Sequence, residues 1–180
     1  MTKNIISTKN MVTCGLMAAI LCIIAPLSIP LPGNLVPISL TNFILYLTAY
    51  VLDMKYSTVT YMVYLLIGIV GLPVFSNYGS GFAKVAGPTG GYLLGFIFIP
   101  LICGYINNKF EGKIYMSVIG MIMGLFFNYL LGTLWFSYQQ SMSISASLSL
   151  CVYPFLIGDT IKIIAAAIIG PVLKKVSKLV

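Results

Sequence analysis

The sequence contains no histidine and no arginine, and its only acidic residues are Asp53, Glu111 and Asp159. A histidine general base and a histidine metal ligand are therefore both excluded. Charged residues make up 7% of the chain, whereas soluble domains contain about 25%. Apolar residues make up 59%. Because so few charged side chains cannot cover a water-facing surface, the composition predicts an integral membrane protein. We expect no cofactor.

The sequence also lacks the motifs of several other functions. It has no GxxxxGK[ST] phosphate-binding loop, since Gly112-Lys113 has neither the upstream glycine nor a following Ser or Thr. The four cysteines lie in apolar stretches without metal-ligand spacing and are interpreted as small buried side chains. The ten lysines are scattered among apolar runs, so we expect no nucleic-acid partner. Any ATP-driven activity would need a separate ATPase.

Six apolar runs approach the length of a spanning helix, which is roughly 17–25 residues. Lys3 and Lys9 precede the first run as in a signal peptide, but no A-x-A cleavage site follows, so this run is predicted to remain as a helix. We predict one all-α domain over residues 1–180 with six transmembrane helices. Several runs are short for a bilayer, which predicts ordered loops that are buried in protein or line a cavity. The runs cover approximately residues 11–25, 38–52, 57–70, 91–106, 114–136 and 150–173.

Lysine positions predict the orientation of the chain, because cytoplasmic loops of membrane proteins carry an excess of lysine. With six spans and a cytoplasmic N-terminus, only Lys84 falls outside and Lys162 lies within the last span. The other eight lysines fall inside, which predicts that both termini are cytoplasmic. These eight are Lys3, Lys9, Lys55, Lys109, Lys113, Lys174, Lys175 and Lys178.

The segment from Gly71 to Gly90 is too long for an ordinary connection, since loops beyond about 12–15 residues tend to be functional. It is rich in glycine, carries Lys84 as its one charge, and keeps apolar residues such as Leu72 and Phe82. A loop bathed in water would be more polar. We predict a lid or re-entrant segment over a small-molecule site, with a hairpin lying on the membrane surface as the alternative.

Asp159 and Lys162 interrupt the sixth run at a spacing that places them on one helix face. Asp159 lies about 22 Å from Lys174 at the inner end, at 1.5 Å per residue, and so in the outer half of the membrane. The pair is either a mutually neutralising ion pair or part of a ligand or ion pathway. The second reading is favoured, because two apolar residues would stabilise the helix better. An aspartate that accepts and a lysine that donates match a ligand head with N–H groups beside a carbonyl.

Other polar and aromatic residues are weaker candidates. Asn77 and Lys84 lie in the long loop, where they are either solvated or in contact with a ligand. Asn42 and Asn128 lie within spans, where an interhelical hydrogen bond is the expected role. Tyr92 is either a pocket wall or an aromatic anchor at the membrane interface.

The first predicted helix carries a line of small residues, Gly15, Ala18, Ala19 and Cys22. Small side chains let helix backbones approach closely. We interpret this line as a docking surface for a partner helix, although such spacings are common in membrane helices.

Four segments together resemble the BioY family, the biotin-binding S components of energy-coupling-factor (ECF) vitamin transporters. They are Val36-Pro-Ile-Ser-Leu-Thr41, Tyr64-Leu-Leu-Ile-Gly-Ile-Val-Gly-Leu-Pro-Val-Phe75, Gly87-Pro-Thr-Gly-Gly-Tyr-Leu-Leu-Gly-Phe96 and Gly158-Asp-x-x-Lys162. The resemblance extends over nearly the whole chain in length and layout. The chain departs from the family pattern at Asn42, where glutamine is usual, and around residues 75–78, where smaller residues are usual.

The resemblance implies a six-helix S-component fold in the bacterial cell membrane, with a biotin site near the outer face beneath the loops after helices one and three. It implies that transport needs a transmembrane coupling subunit and two cytoplasmic ATPase subunits. It also implies docking through helix one, at Gly15, Ala18, Ala19 and Cys22. Asp159 would then accept from a ureido N–H group of biotin, and Lys162 would donate to the ureido carbonyl or hold Asp159. Asn77 would add an amide contact, Tyr92 would wall the pocket, and Lys84 would receive the carboxylate.

Three alternatives stay open at this stage. An S component of the same fold could bind thiamine or riboflavin, although the GPTGGY and GDxxK segments favour biotin. A membrane-embedded enzyme could use Asp159 and Lys162 as an acid–base pair, but no second carboxylate lies nearby in the sequence. A passive scaffold or channel subunit would show no saturable small-molecule binding. A channel would also show a polar stripe along several helices, and no such stripe is found.

Overall fold

The computed structural model describes residues 8–29 and 36–179, and within these ranges the chain is almost entirely helical. This confirms the all-α fold class. Lys3 and the predicted cytoplasmic N-terminus lie outside the described residues. The helices are α1 (Thr8–Ile24), α2 (Thr41–Val51), α3 (Met54–Val70), α4 (Phe82–Ala86), α5 (Gly90–Gly95), α6 (Phe98–Lys109), α7 (Ile114–Gln140), α8 (Ile144–Cys151) and α9 (Tyr153–Leu179).

Three helical stretches in the described residues are long and apolar enough to cross a membrane: Gly90–Lys109, Ile114–Gln140 and Tyr153–Ser177. Three shorter apolar helices, α1, α2 and α3, accompany them. With 11 residues, α2 rises only about 16 Å, which is half of a bilayer's hydrocarbon core. The six predicted spans thus overlap six helical regions of unequal length, three of which are long and apolar enough to cross a membrane.

Two of the predicted runs are broken by proline rather than continuous. Pro100 has no N–H to donate to the Phe96 carbonyl, which instead accepts from the Ile99 amide at 3.2 Å, and the chain divides there into α5 and α6. Pro154 likewise cannot donate to the Leu150 carbonyl, and the chain divides at Val152 into α8 and α9.

Glycines on α7 and α9 let neighbouring helices approach closely. A Cβ at Gly124 would lie 3.0 Å from the Cα of Ile99 on α6, and one at Gly170 would lie 2.2 Å from the Tyr50 ring on α2. These contacts join α6 to α7 and α2 to α9, which are among the most extensive packing pairs of the bundle. They hold the helices that carry the polar side chains of the interior.

Lys84 lies in the last turn of α4, in the segment that follows α3. The other six lysines at described helix ends and turns, Lys9, Lys55, Lys109, Lys113, Lys174 and Lys175, all fall at one end of the bundle. We call this the lysine-rich end and the opposite end the lysine-poor end. The connections after α1 and α3 close the lysine-poor end. Ile29 and Ile38 exchange two backbone hydrogen bonds of 2.9 Å across the first connection.

The segment from residue 71 to 89 is ordered and folds back onto the bundle. The Tyr64 hydroxyl donates to the Val74 carbonyl at 3.0 Å, and the Phe75 ring fills the space left by Gly68. From α7, the Trp135 indole donates to the Gly87 carbonyl at 2.9 Å. The segment is therefore a packed cover rather than a loose hairpin.

Candidate binding cavity

A cavity lies beneath the two connections at the lysine-poor end. Small-molecule sites are usually concave and mainly apolar, with a few precisely placed polar groups. Its wall combines a polar group on α2, α7 and α9 with aromatic and aliphatic side chains. The lining residues are Val36, Pro37, Ser39, Thr41, Asn42, Tyr64, Ser76, Thr89, Tyr92, Leu93, Phe96, Leu125, Asn128, Tyr129, Cys151, Phe155, Asp159 and Lys162.

Asp159 is the centre of the polar group and is 5% exposed. Its Oδ1 accepts from the Lys162 ammonium at 2.7 Å and from the Asn42 amide at 2.9 Å. Its Oδ2 accepts from the Tyr129 hydroxyl. Three donors from three helices therefore hold one buried carboxylate and supply the hydrogen bonds that it would otherwise make to water.

Lys162 connects this carboxylate to the cover of the cavity. Its ammonium also donates to the Ser39 carbonyl at 2.6 Å, in the connection that leads into α2. The side chain is buried, and it forms the one salt bridge found among residues 8–29 and 36–179. Lys162 thus fixes α9, Asp159 and the start of α2 relative to one another.

The polar group has hydrogen-bonding capacity left over. A carboxylate accepts at about four lone-pair sites, and Asp159 uses three, which leaves one on Oδ2. An ammonium has three N–H groups, and Lys162 uses two. The cavity therefore offers one strong acceptor beside one strong donor, both inside a wall that excludes water.

Asn128 on α7 adds further donors. It is 2% exposed, its Oδ1 is buried without a partner, and among the described residues its amide makes no hydrogen bond. Oδ1 lies against Gly95, where a Cβ would come within 2.6 Å of it. Asn128 lines the cavity, so its unpartnered amide is available to a molecule bound there. A buried amide without partners is unfavourable unless something binds it.

The remaining wall is apolar and aromatic. Tyr92 on α5 lies against Gly132 of α7, where a Cβ would be 2.2 Å from its ring, and its hydroxyl shares a 3.0 Å hydrogen bond with Thr133. Phe96 and Phe155 line the cavity from α5–α6 and α9. This wall suits a hydrocarbon or thioether part of a ligand next to its polar head.

The structure brings three of the five predicted ligand-contacting residues, Asp159, Lys162 and Tyr92, to one cavity. Asn77 is exposed and outside the wall, and it joins the two connections. Ser28 Oγ donates to Asn77 Oδ1 at 2.9 Å, and the Asn77 backbone N–H donates to Ser28 Oγ at 2.8 Å. Lys84 is half-buried with its stem against Gly79, also outside the wall.

Sequence reasoning missed three residues of the polar group or its surroundings: Asn42, Tyr129 and Asn128. Asn42 does make the interhelical hydrogen bond expected of it, but to the central carboxylate. Asn128 makes none among the described residues. Both asparagines interrupt apolar spans, and that signal could have found them. Tyr129 is one of 12 tyrosines, and only the packing of α7 against α9 singles it out.

The predicted docking line on α1 divides between two faces. Ala18 is 3% exposed, and Cys22 packs against the core. Gly15 and Ala19 are exposed, and a Cβ at Gly15 would meet nothing within 4 Å. An outer surface of α1 that a partner helix could reach is therefore formed by Gly15 and Ala19.

Comparisons with known proteins agree with this arrangement. The model of the BioY family matches residues 1–179 of the chain. The chain belongs to the BioY family. A BioY relative, the "Biotin transporter BioY" of Thermotoga maritima, is 36% identical over 167 residues, which are 93% of this chain and 96% of that protein.

Another BioY relative, the "Biotin transporter BioY2" of Lactococcus lactis, is 33% identical over 87% of this chain and 85% of that protein. Among solved structures, the crystal structure at 2.1 Å of "the S-component for biotin from an ECF-type ABC transporter" matches with a TM-score of 0.87. The sequence identity is 29%, and the match covers 97% of this chain and 95% of that one. This BioY chain therefore has the S-component fold and belongs in a membrane.

Proposed function

We propose that this protein is the biotin-binding S component of an ECF-type transporter and not an enzyme. The observation that carries the proposal is the polar group of the cavity, where one free acceptor site on Asp159 lies beside free donors on Lys162 and Asn128. The ureido ring of biotin presents N–H groups beside a carbonyl and is the complement of that set. BioY membership and the names of the similar proteins support the same ligand.

Biotin lies in the cavity with its ureido ring towards α2, α7 and α9. Asp159 Oδ2 accepts from one ureido N–H, while Lys162 and the Asn128 amide donate to the ureido carbonyl. The sulfur-containing ring packs against Tyr92 and Phe96, which line the cavity. The carboxylate points to the lysine-poor end, where the backbone of the cover and Lys84 are nearest to water. Asn77 acts on the ligand through the cover, which it fastens to Ser28.

Binding and transport are divided between proteins in this proposal. The lysine-poor end faces the outside and both termini lie in the cytoplasm, in keeping with the lysine distribution. A transmembrane coupling subunit docks on α1 at Gly15 and Ala19, and two cytoplasmic ATPase subunits supply the energy. The chain itself has no phosphate-binding loop.

Calorimetric titration of biotin into the purified protein tests the proposal, with thiamine and riboflavin as controls. We expect saturable binding at one site per chain for biotin and none for either control. Biotin recovered from the complex should be unchanged by mass spectrometry, as a carrier requires. Binding of a control vitamin in place of biotin would indicate an S component for that vitamin. Chemical turnover of biotin would indicate that the protein is a membrane-embedded enzyme.

A further inference from the structure

An apolar groove runs between α7 and α9 towards the lysine-rich end of the bundle. It shares no lining residue with the biotin cavity, although Ile163 in its wall directly follows Lys162 of the cavity in the sequence. Its wall is entirely apolar, and Pro171 closes its lysine-rich end on α9. The lining residues are Ile114, Val118, Ile163, Ile164, Ala167, Ile168 and Pro171.

On α9 the groove follows one helix face that leads directly into lysines. Ile164, Ala167, Ile168 and Pro171 recur at spacings of three and four, and Lys174 and Lys175 follow Pro171 at the same spacings. The apolar part of this face is about 10 Å long at 1.5 Å per residue. One continuous surface therefore has an apolar body and a cationic end.

The wall that α7 contributes to the groove also ends at a lysine. Lys113 directly precedes Ile114, the first residue of α7 in the groove. The turn before it contacts α9, because Lys174 donates to the Glu111 carbonyl at 3.2 Å and its ammonium lies 2.7 Å from the position of a Cβ on Gly112. This contact brings Lys113 close to the lysines of α9.

Two lysines at this end have no ionic partner in the part of the chain that the structure describes. Lys113 and Lys175 are exposed, and neither forms an ion pair among residues 8–29 and 36–179. Glu111 is the only acidic residue in the turn, against Lys109 and Lys113 on either side of it and two further lysines on α9. The occupant of the groove must therefore be apolar along its length and anionic at one end.

We propose that this groove is a seat for one anionic phospholipid, with an acyl chain between α7 and α9 and its phosphate on Lys113 and Lys175. A soluble anion has nothing to place in the groove, and a zwitterionic lipid does not complement its charge. Basic pockets between transmembrane helices at the cytoplasmic side are known to suit anionic lipid head groups. The proposal is independent of biotin binding.

Native mass spectrometry of the full chain, released from nanodiscs with equal amounts of phosphatidylglycerol and phosphatidylcholine of identical acyl chains, tests this seat. We expect one retained phosphatidylglycerol per chain, in clear preference to phosphatidylcholine. The double variant Lys113→Gln/Lys175→Gln should lower that preference by about fivefold for each lysine. The double variant Lys9→Gln/Lys55→Gln, on α1 and α3, makes the same change of charge away from the groove and should leave the preference unchanged.

Ala167→Phe tests the apolar part of the seat, because a ring at this position fills the groove. We expect loss of the retained phosphatidylglycerol, while biotin titration shows that the variant is folded. Equal loss of preference in both lysine double variants would overturn the proposal, since it would indicate general surface attraction. A change from dimer to monomer on Ala167→Phe, without loss of lipid, would also overturn it by assigning the groove to a second copy of the chain.

Discussion

Replacing Asp159 with asparagine changes one oxygen of the central carboxylate into an amide NH₂ group and leaves the shape almost unchanged. Oδ1 accepts from two obligate donors, the Asn42 amide and the Lys162 ammonium. The new NH₂ must therefore take the place of Oδ2, where the Tyr129 hydroxyl can turn and accept from it. A ureido N–H that meets this NH₂ has a donor opposite a donor. Asp159→Asn should consequently lose ligand binding far more than folding.

The expected loss is large because the unpaired groups are buried. Truncating one partner of a buried, hydrogen-bonded charge pair costs about 2–5 kcal/mol, which corresponds to roughly 30- to 4,000-fold in the dissociation constant. Titration calorimetry with biotin measures the loss, and thermal unfolding measures whether the fold survives. Asp53→Asn, the same change at an exposed position of the lysine-rich end, is the control and should bind biotin as the parent does. If folded Asp159→Asn binds biotin within threefold of the parent, the assignment of Asp159 to the ligand head is wrong.

Four further substitutions separate ligand contacts from structural ones. Asn128→Ala should weaken biotin binding by about 1 kcal/mol, or fivefold, without lowering the melting temperature; a parallel fall in both quantities would indicate a structural role. Gly90→Ala places a Cβ 1.6 Å from the backbone carbonyl oxygen of Val85, so thermal unfolding should show a loss of about 1–3 kcal/mol, and an unchanged melting temperature would contradict the packing of the cover. Asn77→Ala should speed biotin dissociation by a few fold in stopped-flow exchange, because it removes the side-chain hydrogen bond to Ser28. Ser28→Ala should have at least as large an effect, because it also removes the bond from the Asn77 backbone N–H; a much larger effect of Asn77→Ala would indicate direct contact with the ligand.

The fold class could be predicted from the sequence because few backbone structures are stable in the hydrocarbon core of a membrane. Long apolar runs with almost no charge must become helices, and all six runs are helical in the structure. The positions of the helix ends were predicted less well from the sequence where a proline lies inside an apolar run. Pro100 and Pro154 lie inside apolar stretches that hydropathy treats as continuous, yet each removes a backbone donor and divides its run.

The site could be predicted in part because charge inside an apolar helix is conspicuous. Asp159 and Lys162 interrupt α9 as the only charged pair of their run, and both line the cavity. Asn77 and Lys84 were selected for lying in a long loop, but how that loop folds depends on contacts with Ser28 and Trp135 that no local pattern encodes.

The aromatic part of the site depends on packing in the same way. Tyr129 reaches Asp159 only because α7 and α9 pack together, and Tyr92 reaches its place because Gly132 has no side chain.

A structure of the protein with biotin bound tests the central claim most directly. The account predicts the ureido ring beside Asp159, Lys162 and Asn128, with the sulfur-containing ring on Tyr92 and the carboxylate towards the lysine-poor end. A carboxylate paired with Lys162, and a ureido ring at the cover, would contradict it, as would biotin bound outside the cavity.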